Sequence, residues 1–176
     1  AYGSAIHNTL DEAIKAKRSG QSTSLANVLT YFEQALIRER IARDDHELYL
    51  KRGNDELSVF YPWFSNLISE RDFSELNFNN QGVIIDGYQL TGKIDWLHFN
   101  SAENRYEVHD FKTGKPANDW KGKNDYEKIK LHKYRQQLLF YKILIDNSRD
   151  HSKRFNPTIG YIDFIQPQDN EIISIS

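Results

Sequence analysis

The sequence predicts an α/β fold: a central mixed β-sheet flanked by helices, with a helical region at the N-terminal end. Three observations predict it. Apolar residues recur at helical spacing from about residue 3 to residue 64. From about Phe73 the pattern turns to alternation punctuated by turn residues. A long amphipathic stretch at 125–146 then leads into further strand. No repeat and no flexible linker is visible, so residues 1–176 read as a single domain.

In the first helix, predicted over 3–18, Ile6, Leu10 and Ile14 recur at i+4 and make an apolar stripe. Ser4 is the expected cap and Gly20 the expected stop. His7 lies at the edge of the stripe, where a histidine ordinarily packs or bonds locally. A second helix is expected over 24–43, carrying Leu25, Val28, Leu29, Phe32, Leu36 and Ile37. A third carries Leu48, Leu57, Phe60 and Phe64, with Gly53 as a candidate break and Pro62 as a candidate kink or new start. Trp63 and Phe64 are expected in the core.

Residues 74–78 alternate as a half-buried strand does, and Asn79-Asn80-Gln81-Gly82 is a turn. Val83-Ile84-Ile85 is a strand closed by Asp86-Gly87. Strands are expected at 88–99 and 105–112, joined by Asn100-Ser101-Ala102-Glu103-Asn104. Gly114 and Pro116 end the run, and 117–124 is a lysine-rich loop holding Trp120. The helix at 125–146 places Gln137 and Tyr141 at i and i+4, on one face. Strands at 158–165 and 171–175 close the chain.

Cysteine is absent, which excludes disulfides, thiolate zinc sites and iron–sulfur clusters within this chain and fits a reducing cytoplasm. No run of 18 apolar residues offers a membrane span. The chain begins at Ala1 and has no methionine, which points to a piece of something longer. The net charge of −2 is unevenly spread. Residues 1–104 hold 10 Lys/Arg against 15 Asp/Glu, residues 105–154 hold 13 against 7, and residues 155–176 hold none against 3. The basic excess sits on and just after one strand, where it forms either a solvated helix face or a stripe that follows a phosphate backbone.

That strand carries the chemistry. In Val108-His109-Asp110-Phe111-Lys112, residues 110 and 112 share a face. In the preceding strand Asp95 lies between Ile94 and Trp96. If Asp95 stands opposite the end bearing Asp110, two carboxylates and an ammonium converge. Hard divalent cations take such oxygen ligands and, beside a phosphodiester, offset its charge and activate water. The same charges also suit a surface ion pair, and the pattern alone leaves both open.

Gly3-Ser4-Ala5-Ile6-His7, Gly92-Lys93-Ile94-Asp95, Val108-His109-Asp110-Phe111-Lys112-Thr113-Gly114-Lys115 and Gln136-Gln137-Leu138-Leu139-Phe140-Tyr141 together resemble the PD-(D/E)XK nuclease superfamily. Within it the match is to the RecB-like branch, often the C-terminal domain of UvrD/Rep-type helicases or helicase–nucleases. The four motifs occur in order from residue 3 to residue 141. The resemblance implies a restriction-endonuclease-like core and a Mg- or Mn-dependent DNA exonuclease. It implies Asp95, Asp110, His7 and the Phe111 carbonyl as metal ligands, and Lys112 as the catalytic lysine. Gln137 and Tyr141 would line the active site, orienting Lys112 or contacting DNA, and Lys115 would touch phosphate. Glu75 stands where relatives often carry an acid, and a salt bridge is the role expected of it here. Expected partners are single-stranded DNA and a helicase motor, in DNA repair or recombination. The iron–sulfur cluster of some relatives is excluded by the missing cysteines. A non-catalytic DNA-binding or helicase-docking module is the competing expectation.

Overall fold

The computed structural model describes Ala1–Ser176. Its elements are α1 (Tyr2–Arg18), α2 (Leu25–Arg38), α3 (Arg43–Leu67), β1 (Phe73–Asn77), β2 (Ile84–Ile85), β3 (Tyr88–Gln89), β4 (Lys93–Asn100), β5 (Arg105–Lys112), α4 (Asp125–Asp146), β6 (Gly160–Gln168) and β7 (Glu171–Ile175). The main sheet runs β1-β4-β5-β6-β7, and β2-β3 is a separate two-stranded ribbon. The expected α/β architecture, a mixed sheet with flanking helices, is the one observed.

The chain forms two compact units. One comprises Ala1–Asp72, Phe111–Pro116 and Asp163–Ile173; the other comprises Phe73–Asp110, Ala117–Ile162 and Ser174–Ser176. In the first unit α1 buries Ile6, Leu10 and Ile14, the stripe expected from their spacing. Its cap differs from expectation. The helix begins at Tyr2 after Ala1, without a side-chain cap bond, and Ser4 lies inside it. Ser24 does cap α2, through a reciprocal capping box with Asn27.

Neither Gly53 nor Pro62 interrupts α3. Gly53 has a packing reason: a Cβ there would stand 2.1 Å from the Phe32 ring. Only glycine lets α3 come this close to α2. Around Pro62, burial of Phe60, Tyr61 and Phe64 holds the last turns in place. Phe111 joins this aromatic cluster, with ring centroids 6.1 Å from Phe60 and 5.8 Å from Phe64. Phe64 is in the core as expected, while Trp63 is half-buried against Phe60.

The second unit packs α4 on the sheet through Phe78, Ile94, Leu97, Val108, Tyr141, Leu144 and Ile145. The expected strand 88–99 is broken into β3 and β4. At the break the Gly92 carbonyl accepts from the Phe78 N–H at 2.9 Å, and a Cβ on Gly92 would meet Leu144 at 2.8 Å. Asp86 and Gly87 both have positive φ, which makes the tight turn their sequence indicated. Ile129, Leu139 and Ile143 of α4 are exposed, so part of its apolar content is not core.

β4 and β5 are buried along nearly their whole length, the pattern of central strands covered on both faces. The carboxylates they carry are buried with them: Asp95 is 9% exposed and Asp110 1%.

Candidate metal centre

Register decides what these carboxylates meet. β4 and β5 are antiparallel, with Trp96 paired to His109. One step beyond that pair, Asp95 stands opposite Asp110. β1 is antiparallel to β4, with Ser74 on Trp96 and Leu76 on Ile94. Glu75 therefore stands opposite Asp95 on its other side. Three acidic residues thus form a row across three adjacent strands, and the Glu75 and Asp95 carboxylate oxygens come within 4.8 Å of each other.

Glu75 occupies this place at a conformational cost. Its φ is +50°, in the left-handed region that a glutamate rarely adopts, and it lies mid-strand. It also makes the salt bridge expected of it, with Lys93. The pairing that sets it beside Asp95 was not visible in the sequence.

Asp110 is held by α4. The Tyr141 hydroxyl donates to Asp110 Oδ1 at 2.7 Å, and Gln137 Nε2 donates to the same oxygen at 2.7 Å. Gln137 Nε2 also reaches the Tyr141 oxygen at 2.7 Å. The i, i+4 spacing on α4 makes this possible, because both side chains rise from one face. The Tyr141 hydroxyl lies far above its ordinary titration range. Burial is the main cause, followed by the Asp110 and Asp95 carboxylates and the bond to Asp110. Tyr141 is thus a fixed donor at neutral pH. Tyr134, two turns earlier, is also pushed up, first by burial and then by Asp110 and Tyr126. Tyr134 belongs to none of the four motifs. Its signal was the helical spacing Tyr134–Gln137–Tyr141.

In the other unit His7, half-exposed on α1, sets its ring edge-on to Phe111 with centroids 6.0 Å apart. Phe111 directly follows Asp110. Lys112 ends β5 half-buried, and strand alternation projects it on the side of Asp110. Lys115 is exposed in the loop beyond.

The segment after Lys112 is clamped. Arg52 Nη2 donates to the Thr113 carbonyl at 2.8 Å, while Arg52 Nε donates to Glu56 Oε1 at 2.8 Å. The Tyr2 hydroxyl donates to Glu56 Oε2 at 2.5 Å, and the Arg52 guanidinium lies 4.4 Å over the Tyr2 ring. A Cβ on Gly3 would come within 3.3 Å of Thr113 Oγ1, so the glycine lets α1 pass close to Thr113. Sequence reading also missed this support, because residues 2, 52, 56 and 113 carry no shared pattern.

The donor set suits a hard divalent cation. Carboxylates in a row on adjacent strands, two of them buried, supply oxygen ligands. Such a centre can act on an anionic ester. Compared with family models, residues 1–174 match the PD-(D/E)XK nuclease superfamily. A search of curated proteins gave no match.

Proposed function

The chain belongs to the PD-(D/E)XK nuclease superfamily, and from that premise we propose that it hydrolyses single-stranded DNA with Mg²⁺ or Mn²⁺. The observation that carries the reading is the row of Glu75, Asp95 and Asp110, the last two buried, with Asp110 oriented by Gln137 and Tyr141. Asp95 and Asp110 would hold the cation, together with the Phe111 carbonyl. His7 would add a nitrogen ligand, as the resemblance of Gly3-Ser4-Ala5-Ile6-His7 implies. When bound, the cation supplies charge neutralisation at the phosphate and lowers the pKa of water.

The other roles belong to side chains. Gln137 and Tyr141 fix the Asp110 carboxylate so that it does not reorganise during the reaction. Lys112 places an ammonium beside the phosphate and offsets charge as the phosphorus becomes five-coordinate. Water adds to phosphorus, the bond to the 3′ oxygen breaks, and the products are a 3′-hydroxyl and a 5′-phosphate. Lys115 contacts a neighbouring phosphate. Exonucleolytic action in DNA repair or recombination, coupled to a helicase motor in the cytoplasm, completes the proposal. No helix is long and apolar enough to cross a membrane.

The test is degradation of end-labelled single-stranded DNA by the wild type, Asp110→Ala and Lys112→Ala, with and without Mg²⁺ or Mn²⁺. Metal-dependent cleavage in the wild type alone is expected. Equal activity in all three proteins defeats the assignment. DNA binding with no cleavage and no heat on manganese titration favours a non-catalytic binding module instead.

A further inference from the structure

The face of α4 that grips Asp110 does not end at the metal centre. Tyr126, Lys130, Tyr134, Gln137 and Tyr141 follow one another at helical spacing and lie along a single stripe. Exposure changes steadily along it. Tyr126 is 78% exposed, Lys130, Tyr134 and Gln137 are half-buried, and Tyr141 is 5% exposed. The stripe is core where α4 covers the sheet and becomes open surface toward the N-terminal end of the helix. It spans about 16 Å from Tyr126 to Gln137 at the rise of an α-helix.

Its chemistry is that of a strand-binding surface. The Lys130 ammonium lies 5.8 Å from the Tyr134 ring centroid. Residues 115–135 hold seven Lys/Arg against three Asp/Glu, in a protein whose net charge is −2. Trp120, the other large aromatic group nearby, is already engaged. Its ring carries the Arg135 guanidinium at 4.9 Å, and its indole N–H donates to the Ser176 carbonyl at 2.6 Å. The tyrosine stripe is the aromatic surface that leads to Asp110.

We infer that this stripe is the track by which a single strand enters the site: bases stack on Tyr126 and Tyr134, and Lys130 holds the phosphate between them. Stacking on a ring requires an unpaired base with a free face, so the track selects single strands over duplex. The inference rests on the proposed hydrolysis of single-stranded DNA and adds the path and the residues that choose the strand.

The experiment uses the full chain in EDTA with a fluorescein-labelled thymidine dodecamer, read by anisotropy. Tyr126→Ala and Tyr134→Leu are each expected to weaken binding about tenfold. Tyr134→Phe, which keeps the ring, should bind within about twofold of wild type. A dodecamer carrying 5-iododeoxyuridine should cross-link to Tyr126 or Tyr134 on irradiation. With Mn²⁺ present, Tyr126→Ala should act on KM rather than on kcat. The track is overturned if the wild type binds and cleaves while both tyrosine variants bind as tightly, a result that leaves the nuclease reading standing. It is also overturned if Tyr126→Ala weakens duplex binding as much as single-strand binding, or if the wild type does not bind the dodecamer. Tyrosine-dependent binding without cleavage in either metal supports the track and defeats the nuclease reading.

Discussion

Two clusters of acidic side chains teach different lessons. In one unit Glu56 is answered by the Arg52 guanidinium and the Tyr2 hydroxyl, and Arg52 goes on to hold the Thr113 carbonyl. Charge there is matched within the cluster, and the cluster ties α1, α3 and the segment after β5 together. In the other unit the oxygens of Glu75, which pairs with Lys93, and Asp95 lie within 4.8 Å of each other, and the donors on Asp110 Oδ1 are a phenol and a carboxamide. Neutral donors orient a carboxylate without cancelling its charge. The first arrangement ties elements of the fold together; the second gathers carboxylate oxygens, the donor set that a hard cation takes.

The largest expected effect breaks the second cluster. Asp95→Asn should lower metal-dependent cleavage by about three orders of magnitude. It should not lower the metal-free Tm, because one of three neighbouring negative charges is gone. Activity assays and thermal melts in EDTA check both halves, and a Tm drop of several degrees would mean that Asp95 is structural. Divalent cation should raise the wild-type Tm and not that of Asp95→Asn. At about a hundred times the dissociation constant the gain is about 2.7 kcal/mol.

Breaking the first cluster should show the reverse. Glu56→Gln leaves Arg52 without its counter-charge. The loss for a well-buried pair is about 3–5 kcal/mol. Arg52 is 37% exposed, so solvent screening brings this to about 2 kcal/mol. Tm should fall by about 4–8 °C. Metal affinity, read by calorimetry, should be unchanged; if it falls as far as in Asp95→Asn, the two clusters are not separate in function.

A smaller effect appears in alkali. Tyr2 and Tyr141 both titrate above the ordinary tyrosine range in the folded protein, each chiefly because of burial. An unfolded tyrosine loses its proton near pH 10 (roughly). The unfolded chain then binds fewer protons than the folded one, so stability is intact below that pH and falls as pH rises beyond it. Urea melts between pH 9 and pH 11 should show the fall, and Tyr141→Phe should make it shallower. An unchanged slope would mean that Tyr141 ionises freely when folded.

The smallest effect concerns Glu75. Glu75→Gly relieves a positive φ and removes one ion pair with Lys93, terms of opposite sign and about 1 kcal/mol each. Stability should change by less than about 1 kcal/mol, while the metal concentration needed for half-maximal cleavage should rise. No change in that concentration would take Glu75 out of the metal centre.

Local rules made much of this legible. β5, α4 and β7 lie at the residues that period and punctuation indicated, because apolar spacing and turn chemistry are properties of neighbours in sequence. The side shared by Asp110 and Lys112 follows from strand alternation, and the joint reach of Gln137 and Tyr141 follows from helical spacing. Tertiary approach decided what these rules could not. Gly53 reads as a break and serves as a point of contact, and Gly92 interrupts an expected strand where Leu144 presses on it. Strand register, which no single strand encodes, set Glu75, Asp95 and Asp110 in a row. The place where the sheet stops beneath α4 decided which tyrosines of one stripe are core and which are open. Spacing along the chain determines which face a side chain points from; only packing determines what that face meets.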